Sequence, residues 1–142
     1  MSAAQKIMPV KSPESMPYWE GLRARKILIP ECKDCGHTFF YPRTQCTKCL
    51  SPNLAWKEIP PRAKLWTWTV VHQSFHEGWA ADVPFVIALV EVLPGVRMMT
   101  NIVECSSFDD LKIGMDLEGV FDDVRETTTL LKFRPTYVEV GA

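Results

Sequence analysis

The apolar positions of this chain change their period along its length, and the changes divide it into three blocks. Over residues 12–25, Met16, Trp19 and Leu22 recur at three-residue steps, the spacing of one stripe on an amphipathic helix. Ser12 suits the N-cap, Pro13 the first helical position and Glu14 the first turn, so a short helix is expected; Pro17 and Gly21 weaken it. Residues 1–11 read as a loose tail. Beyond residue 60 the pattern belongs to strands. Residues 65–71 are β-branched and aromatic on both faces, 85–92 form a nearly continuous apolar run, and Pro94-Gly95 supplies a type II turn that folds 96–103 back on it. Ser106 to Leu111 reads as a capped turn of helix, 115–121 as a fourth strand, residues 122–127 as a turn and 128–133 as a fifth strand. Five strands with a short helical connection between the third and fourth outline a Greek-key OB-fold barrel.

The middle block has neither period. It carries Cys32-Lys33-Asp34-Cys35 and Cys46-Thr47-Lys48-Cys49, with ten residues between the pairs. Each C-x-x-C wraps two sulfurs around a metal on a tight turn, and the excursion is long enough to return the second pair opposite the first. Gly36 can adopt the positive φ such a turn requires, and Phe39, Phe40 and Tyr41 read as a strand ended by Pro42. Zn²⁺ is the expected ion, although four thiolates alone do not separate zinc from iron. A closed Cys₄ shell has no open position, so the metal is expected to be structural. A thioredoxin-type dithiol would need one C-x-x-C in a βαβ setting, which is missing. His37 is read as a surface residue, since four sulfurs already complete the shell. The expected organisation is an N-terminal tail and helix over 1–28, a zinc ribbon over 29–58 and an OB domain over 59–142, with Pro60-Pro61 as linker: a mainly β protein.

Composition narrows the partners. The 142 residues are 46% hydrophobic and 23% charged, as in an ordinary globular protein. The longest apolar run falls far short of the ~20 residues of a membrane helix. The chain opens Met-Ser-Ala-Ala-Gln-Lys without an apolar run, so a secretory leader is not expected and a cytoplasmic location is. Sixteen basic residues against seventeen acidic ones give a formal charge of −1, which lacks the field that draws a protein to nucleic acid. Trp66, Trp68 and Phe85 are the residues that keep single-stranded nucleic acid as the alternative ligand of such a barrel. A stand-alone acyl-CoA or lipid carrier, with an apolar pocket inside the barrel, is the other alternative.

Several motifs occur together: Tyr18-Trp19-Glu20-Gly21-Leu22, Cys32-x-x-Cys35-Gly36, Phe40-x-Pro42-Arg43, Cys46-x-x-Cys49, Pro84-Phe85-Val86, Gly95-Val96-Arg97, Ile113-Gly114-Met115 and Phe133-Arg134-Pro135. In this order and spacing, over about residues 16–136, they resemble the acyl-CoA-associated zinc-ribbon/OB-fold proteins. The resemblance implies an N-terminal helical segment, a rubredoxin-like zinc ribbon and an OB domain. It further implies a hetero-oligomer built on a thiolase-superfamily dimer, in which this chain completes or stabilises a thiolase, synthase or thiolase-like aldolase. Some such proteins help to form the acyl-CoA tunnel, and some pair with aldolases that cleave steroid side chains. One departure stands out. Where many relatives have a glycine-rich approach to the first barrel strand, this chain has the stiffer Ile59-Pro60-Pro61-Arg62-Ala63-Lys64.

No catalytic set of its own is readable. His72 and His76 are four apart beside Glu77, but on a strand that spacing separates them by ~13 Å. Cys105 lacks a histidine and an orienting group at readable spacing. Asp109-Asp110 and Asp122-Asp123 read as turn and capping residues. Lys33 and Lys48 offset the charge of a thiolate centre. The candidate contacts with a partner chain or with acyl-CoA are Tyr18 and Trp19 on the helix, Arg23 and Arg25 at its end, and His72, His76 and Trp79 in the loop after the first barrel strand.

Overall fold

The computed structural model describes residues 7–74 and 76–136. Alternation of buried and exposed residues produces the barrel strands β3 (Arg62–Val71), β4 (Phe85–Leu93), β5 (Val96–Ile102), β6 (Asp116–Arg125) and β7 (Thr128–Pro135). They close in the order β3-β4-β5-β7-β6, with β6 returning to β3. This is the five-stranded OB barrel that the sequence predicts. Leu65, Val86, Val90, Met98, Leu117 and Phe133 fill its interior and are almost fully buried. Each contributes about 1.5–3 kcal/mol by leaving water.

The aromatic run at the start of the barrel has a specific cause. Leu65 pairs with Val90 and Thr67 with Leu89, so Trp66 is the extra residue of a β-bulge. The bulge switches the inward set from Ala63 and Leu65 to the Trp68 and Val70 side chains that pack on the core. The pattern on both faces is therefore two alternations joined out of phase. Gly95 has φ +79° in the tight β4–β5 turn, as the Pro-Gly pair requires.

The expectations fail at several boundaries. The first barrel strand begins earlier than the expected residue 65: Arg62 to Lys64 already belong to β3, where they pair with Glu118, Leu117 and Asp116 and close the ring. β6 runs past the expected turn at Asp122 as far as Arg125, because the β6–β7 ladder continues through Asp123↔Thr129 to Arg125↔Thr128.

In the ribbon, β1 (Ile27–Cys32) and β2 (Leu54–Ile59) pair antiparallel from Ile27↔Ile59 to Cys32↔Leu54. The paired strands lie outside the two knuckles, not between them. The expected strand at Phe39, Phe40 and Tyr41 does not form, and only an isolated bridge joins Glu31 to Thr38. The three rings instead go to different neighbours. Phe39 is buried and stacks on His37 at 5.7 Å, Phe40 meets Tyr18 at 5.0 Å, and the Tyr41 hydroxyl accepts from Met99 N–H at 3.2 Å.

The helix α1 (Met16–Arg23) is shorter than expected and is preceded by a 3₁₀ turn, Pro13–Ser15. Pro17 does not break it, because it occupies the first turn, where its missing N–H has no partner to lose. The buried stripe is Tyr18, Gly21 and Leu22, displaced from the expected Met16, Trp19 and Leu22. A Schellman motif ends the helix: Lys26 N–H donates to Gly21 C=O at 2.8 Å and Arg25 N–H to Leu22 C=O at 3.0 Å, with Arg25 at φ +63°. Of the expected loose tail, residues 1–6 lie outside the described residues, and Lys11 Nζ donates to the Thr127 carbonyl on the β6–β7 turn. Among the described residues no helix is long and apolar enough to cross a membrane.

Candidate metal centre and surrounding surfaces

The β1–β2 ladder carries Cys32 to its end, and each knuckle then folds back by the same two bonds. Gly36 N–H donates to Cys32 C=O at 2.9 Å and Cys32 N–H to His37 C=O at 2.9 Å. In the second knuckle Leu50 N–H donates to Cys46 C=O at 2.9 Å and Cys46 N–H to Ser51 C=O at 2.8 Å. Gly36 at φ +77° and Leu50 at φ +65° hold equivalent left-handed positions. Two copies of one turn thus face each other.

Their four sulfurs lie within 4.8 Å of one another. Cys32 and Cys49 are 3.6 Å apart, as are Cys35 and Cys46. A tetrahedron with metal–sulfur bonds of about 2.3 Å has edges of about 3.8 Å, so the four sulfurs are positioned to bind one metal ion. The same distances are far beyond the ~2.05 Å of a disulfide. Cys32 and Cys46 are buried while Cys35 and Cys49 face outward. Backbone N–H groups already point at the sulfurs: Cys35 at Cys32 Sγ at 3.5 Å, and Lys48 and Cys49 at Cys46 Sγ at 3.3 and 3.5 Å. Such donors favour thiolate over thiol. The Cys35 N–H foremost holds Cys32 below its ordinary value. Desolvation pushes Cys46 up, but the Cys49 and Lys48 N–H groups and neighbouring thiols outweigh it and bring it to about 6. The Ser51 N–H draws Cys49 down, yet desolvation and the other three sulfurs push it up to about 12. Without a cation the cluster resists complete ionisation; a divalent ion removes that repulsion.

Asp34 joins the two knuckles. Its carboxylate accepts from Ser51 Oγ and, at 3.2 Å, from Asn53 Nδ2, and these bonds, Ser51 first, hold it below the usual carboxylate range. His37 is not directed at the cluster but pairs with Thr47 Oγ1 at 3.2 Å.

The other candidate residues fall in three separate places. Tyr18 and Trp19 meet edge-on at 5.1 Å, and Trp19 Nε1 donates to Ser15 Oγ at 3.1 Å. Both line a cavity of about 450 Å³ where α1, the Phe40–Arg43 loop, β5 and β7 converge. Arg23 and Arg25 border a polar recess of about 380 Å³ with Asp123 and Arg125, in which Arg25 is committed to Asp123. His72 is exposed at the end of β3, whereas His76 Nδ1 accepts from Gly78 N–H at 2.9 Å and caps the short turn Glu77–Trp79. Trp79 packs on Phe85 at 5.6 Å. Trp66, a candidate for stacking on bases, is 45% exposed, but Arg97 already covers its ring at 3.7 Å. Sequence reasoning missed Asp34, Tyr41 and Thr100. Only Asp34, inside a knuckle, carried a readable signal.

Known proteins share this arrangement. Residues 19–55 match the family described as the ChsH2 rubredoxin-like zinc ribbon domain, and residues 56–122 match the ChsH2 C-terminal OB-fold domain. A DUF35 domain-containing scaffold protein of Methanocaldococcus jannaschii is 34% identical over 111 residues, covering 76% of this chain and 77% of that one. The chain belongs to the ChsH2/DUF35 family. A probable enoyl-CoA hydratase alpha subunit of Thermomonospora curvata is 29% identical over 118 residues, 83% of this chain but only 36% of that longer protein. Among solved structures, the Ltp2-ChsH2(DUF35) aldolase has a chain that superposes with a TM-score of 0.80 at 26% identity, covering 90% of this chain and 98% of that one. A DUF35 protein of unknown function from Sulfolobus solfataricus shares the fold, with a TM-score of 0.63 at 19% identity.

Proposed function

We propose that this ChsH2/DUF35 chain is a non-catalytic accessory subunit of an acyl-CoA enzyme of the thiolase superfamily, assembled with it as a hetero-oligomer on a thiolase-type dimer. The carrying observation is the superposition on nearly the whole of a chain from an aldolase complex. The same family's scaffold proteins, and a subunit relative named for enoyl-CoA chemistry, agree with it. The ribbon holds one structural Zn²⁺ through Cys32, Cys35, Cys46 and Cys49, and the barrel supplies a rigid docking body. In this reading Tyr18, Trp19, Arg23, Arg25, His72, His76 and Trp79 belong to surfaces offered to the partner or to acyl-CoA. Carbon–carbon bond chemistry resides on the partner, the chain contributes to the acyl-CoA tunnel, and bulky acyl groups such as steroid side chains are the substrate class.

The test is affinity capture of the tagged chain from its native host. Stoichiometric recovery of a thiolase-like chain, with thioester turnover restored only when both are present, is the expected result. Thioester turnover by the chain alone would refute the proposal. So would recovery free of any enzyme partner together with tight, salt-dependent binding of single-stranded DNA.

A further inference from the structure

We propose that the Cys₄ cluster is a reversible peroxide-sensitive switch, in which hydrogen peroxide joins the two knuckles through Cys35–Cys46 and Cys32–Cys49 disulfides and the bound metal ion is released. The four sulfurs differ in exposure. Each knuckle buries its first cysteine, Cys32 or Cys46, and turns its second, Cys35 or Cys49, outward. The outward pair sits in two runs of exposed residues, 33–36 and 47–50. A cysteine that serves as a metal ligand is a thiolate, and oxidation of cysteine follows thiolate character and exposure. Cys35 and Cys49 are thus the sulfurs that a dissolved oxidant meets first.

The geometry then selects the partner of each. Cys35 Sγ lies 3.6 Å from Cys46 Sγ and Cys49 Sγ 3.6 Å from Cys32 Sγ, so each outward sulfur touches a buried sulfur of the opposite knuckle. Within a knuckle, the second cysteine instead presents its backbone N–H to the first sulfur, Cys35 to Cys32 and Cys49 to Cys46, both at 3.5 Å. Asp34 fastens the knuckles together without using a sulfur, through Ser51 and Asn53, so the two faces stay opposed while the thiolates react.

Cys35 Sγ attacks one oxygen of hydrogen peroxide; the O–O bond breaks, hydroxide leaves and a sulfenic acid forms. Cys46 Sγ attacks the sulfenic sulfur; an S–S bond forms and a second hydroxide leaves. The same two steps join Cys49 to Cys32. Each disulfide passes two electrons from two sulfurs to one peroxide, so two peroxides consume all four thiolates and no anionic sulfur remains to hold a cation. Because the second thiolate is already in contact, it captures the sulfenic acid before further oxidation, and a thiol reductant reverses the change by exchange.

The test treats the full, metal-loaded chain with hydrogen peroxide beside a chromophoric chelator, then alkylates and digests it with trypsin. Cleavage after Lys26, Lys33, Arg43, Lys48 and Lys57 puts each cluster cysteine on its own peptide, 27–33, 34–43, 44–48 and 49–57, so every pairing has its own mass. Expected are loss of the metal ion, the Cys35–Cys46 and Cys32–Cys49 peptides, and recovery of the loaded chain with a thiol reductant and zinc. Cys105→Ser, outside the cluster, should respond as the parent does. Retention of the ion overturns the inference, as do pairing within the knuckles, sulfinic or sulfonic acids in place of disulfides, or a Cys105→Ser chain that no longer responds. None of these readouts involves a partner chain, so the inference stands or falls apart from the accessory role.

Discussion

Arg25 holds Asp123 through two parallel hydrogen bonds, Nη1 to Oδ1 at 2.9 Å and Nη2 to Oδ2 at 2.5 Å. The pair joins the residue just beyond α1 to the far end of β6, ninety-eight positions away, and Thr129 Oγ1 completes the carboxylate at 2.6 Å. Arg25 takes the left-handed conformation that usually falls to glycine at this position of a Schellman motif. Two effects therefore oppose each other at one residue. Arg25→Ala loses the contact and keeps the strain, while Arg25→Gly loses the contact and relieves it. Alanine is expected to be less stable than glycine by about 1 kcal/mol, read by urea denaturation. Equal stability of the two would show that the backbone is unstrained.

The same pair sets an acid limit. Hydrogen bonds from Arg25 and then Thr129 hold the Asp123 carboxyl well below the usual carboxylate range. A depressed folded-state value adds stability above the unfolded value of about 3.9, and that stability is lost as pH falls toward the folded value. Asp123→Asn should flatten the fall in melting temperature below about pH 4 and change little at pH 7 beyond a constant offset. High salt should shrink the offset, since both side chains are about half exposed.

Metal removal should act on the ribbon before the barrel. The knuckles have few apolar contacts, whereas the barrel has a filled core. A strong chelator is expected to release one ion per chain and unfold the ribbon, leaving most of the β-sheet circular dichroism signal. Asp34→Ala should speed release, measured with a chromophoric chelator, because Asp34 ties the first knuckle to Ser51 and Asn53 after the second. Release at an unchanged rate would mean that the thiolates alone hold the turns together.

What could be read from the sequence was what its local periods encode. The two C-x-x-C pairs, the Pro-Gly turn and the five strands needed no knowledge of distant residues. The misread segments are those whose conformation is decided elsewhere. Phe39, Phe40 and Tyr41 have strand composition, but three different neighbours claim their rings, and the Tyr18 and Met99 among them lie far away in the chain. Arg62 to Lys64 fell outside the expected first barrel strand because the strand that recruits them, β6, begins at Asp116. The cavity was hidden for the same reason, since its walls come from four segments with no common motif.

Gly21 illustrates how a packing requirement reverses a propensity. In an exposed helix Gly→Ala stabilises by about 1 kcal/mol. Here a Cβ would meet Leu28 Cγ at 3.1 Å and the Lys26 carbonyl oxygen at 3.1 Å. Leu28 can rotate, but the Lys26 backbone is fixed by its own bond to Gly21 C=O. Gly21→Ala is expected to destabilise by about 1–2 kcal/mol in thermal or urea unfolding, in the range of overpacking. A stabilised variant would mean that the helix can lift from β1 without loss.

Side chains bridge the gap between β5 and β7. These strands pair only at Ile102↔Phe133, so the stretch before that point has no ladder. Side chains fill in: Thr100 Oγ1 donates to Leu131 C=O at 2.9 Å, and Tyr41 Oη accepts from Met99 N–H. The two bonds differ in burial. Thr100 and Leu131 are shielded from water, so Thr100→Val strands a carbonyl and should cost about 1–2 kcal/mol, while Thr100→Ser restores most of it. Tyr41 is 44% exposed, and after Tyr41→Phe the Met99 N–H can turn to water at a cost of about 0.5 kcal/mol. Hydrogen exchange at Met99 should then quicken in Tyr41→Phe although global stability barely moves. Equal losses from the two substitutions would place the barrel's closure in the ribbon contact and not in the threonine bridge.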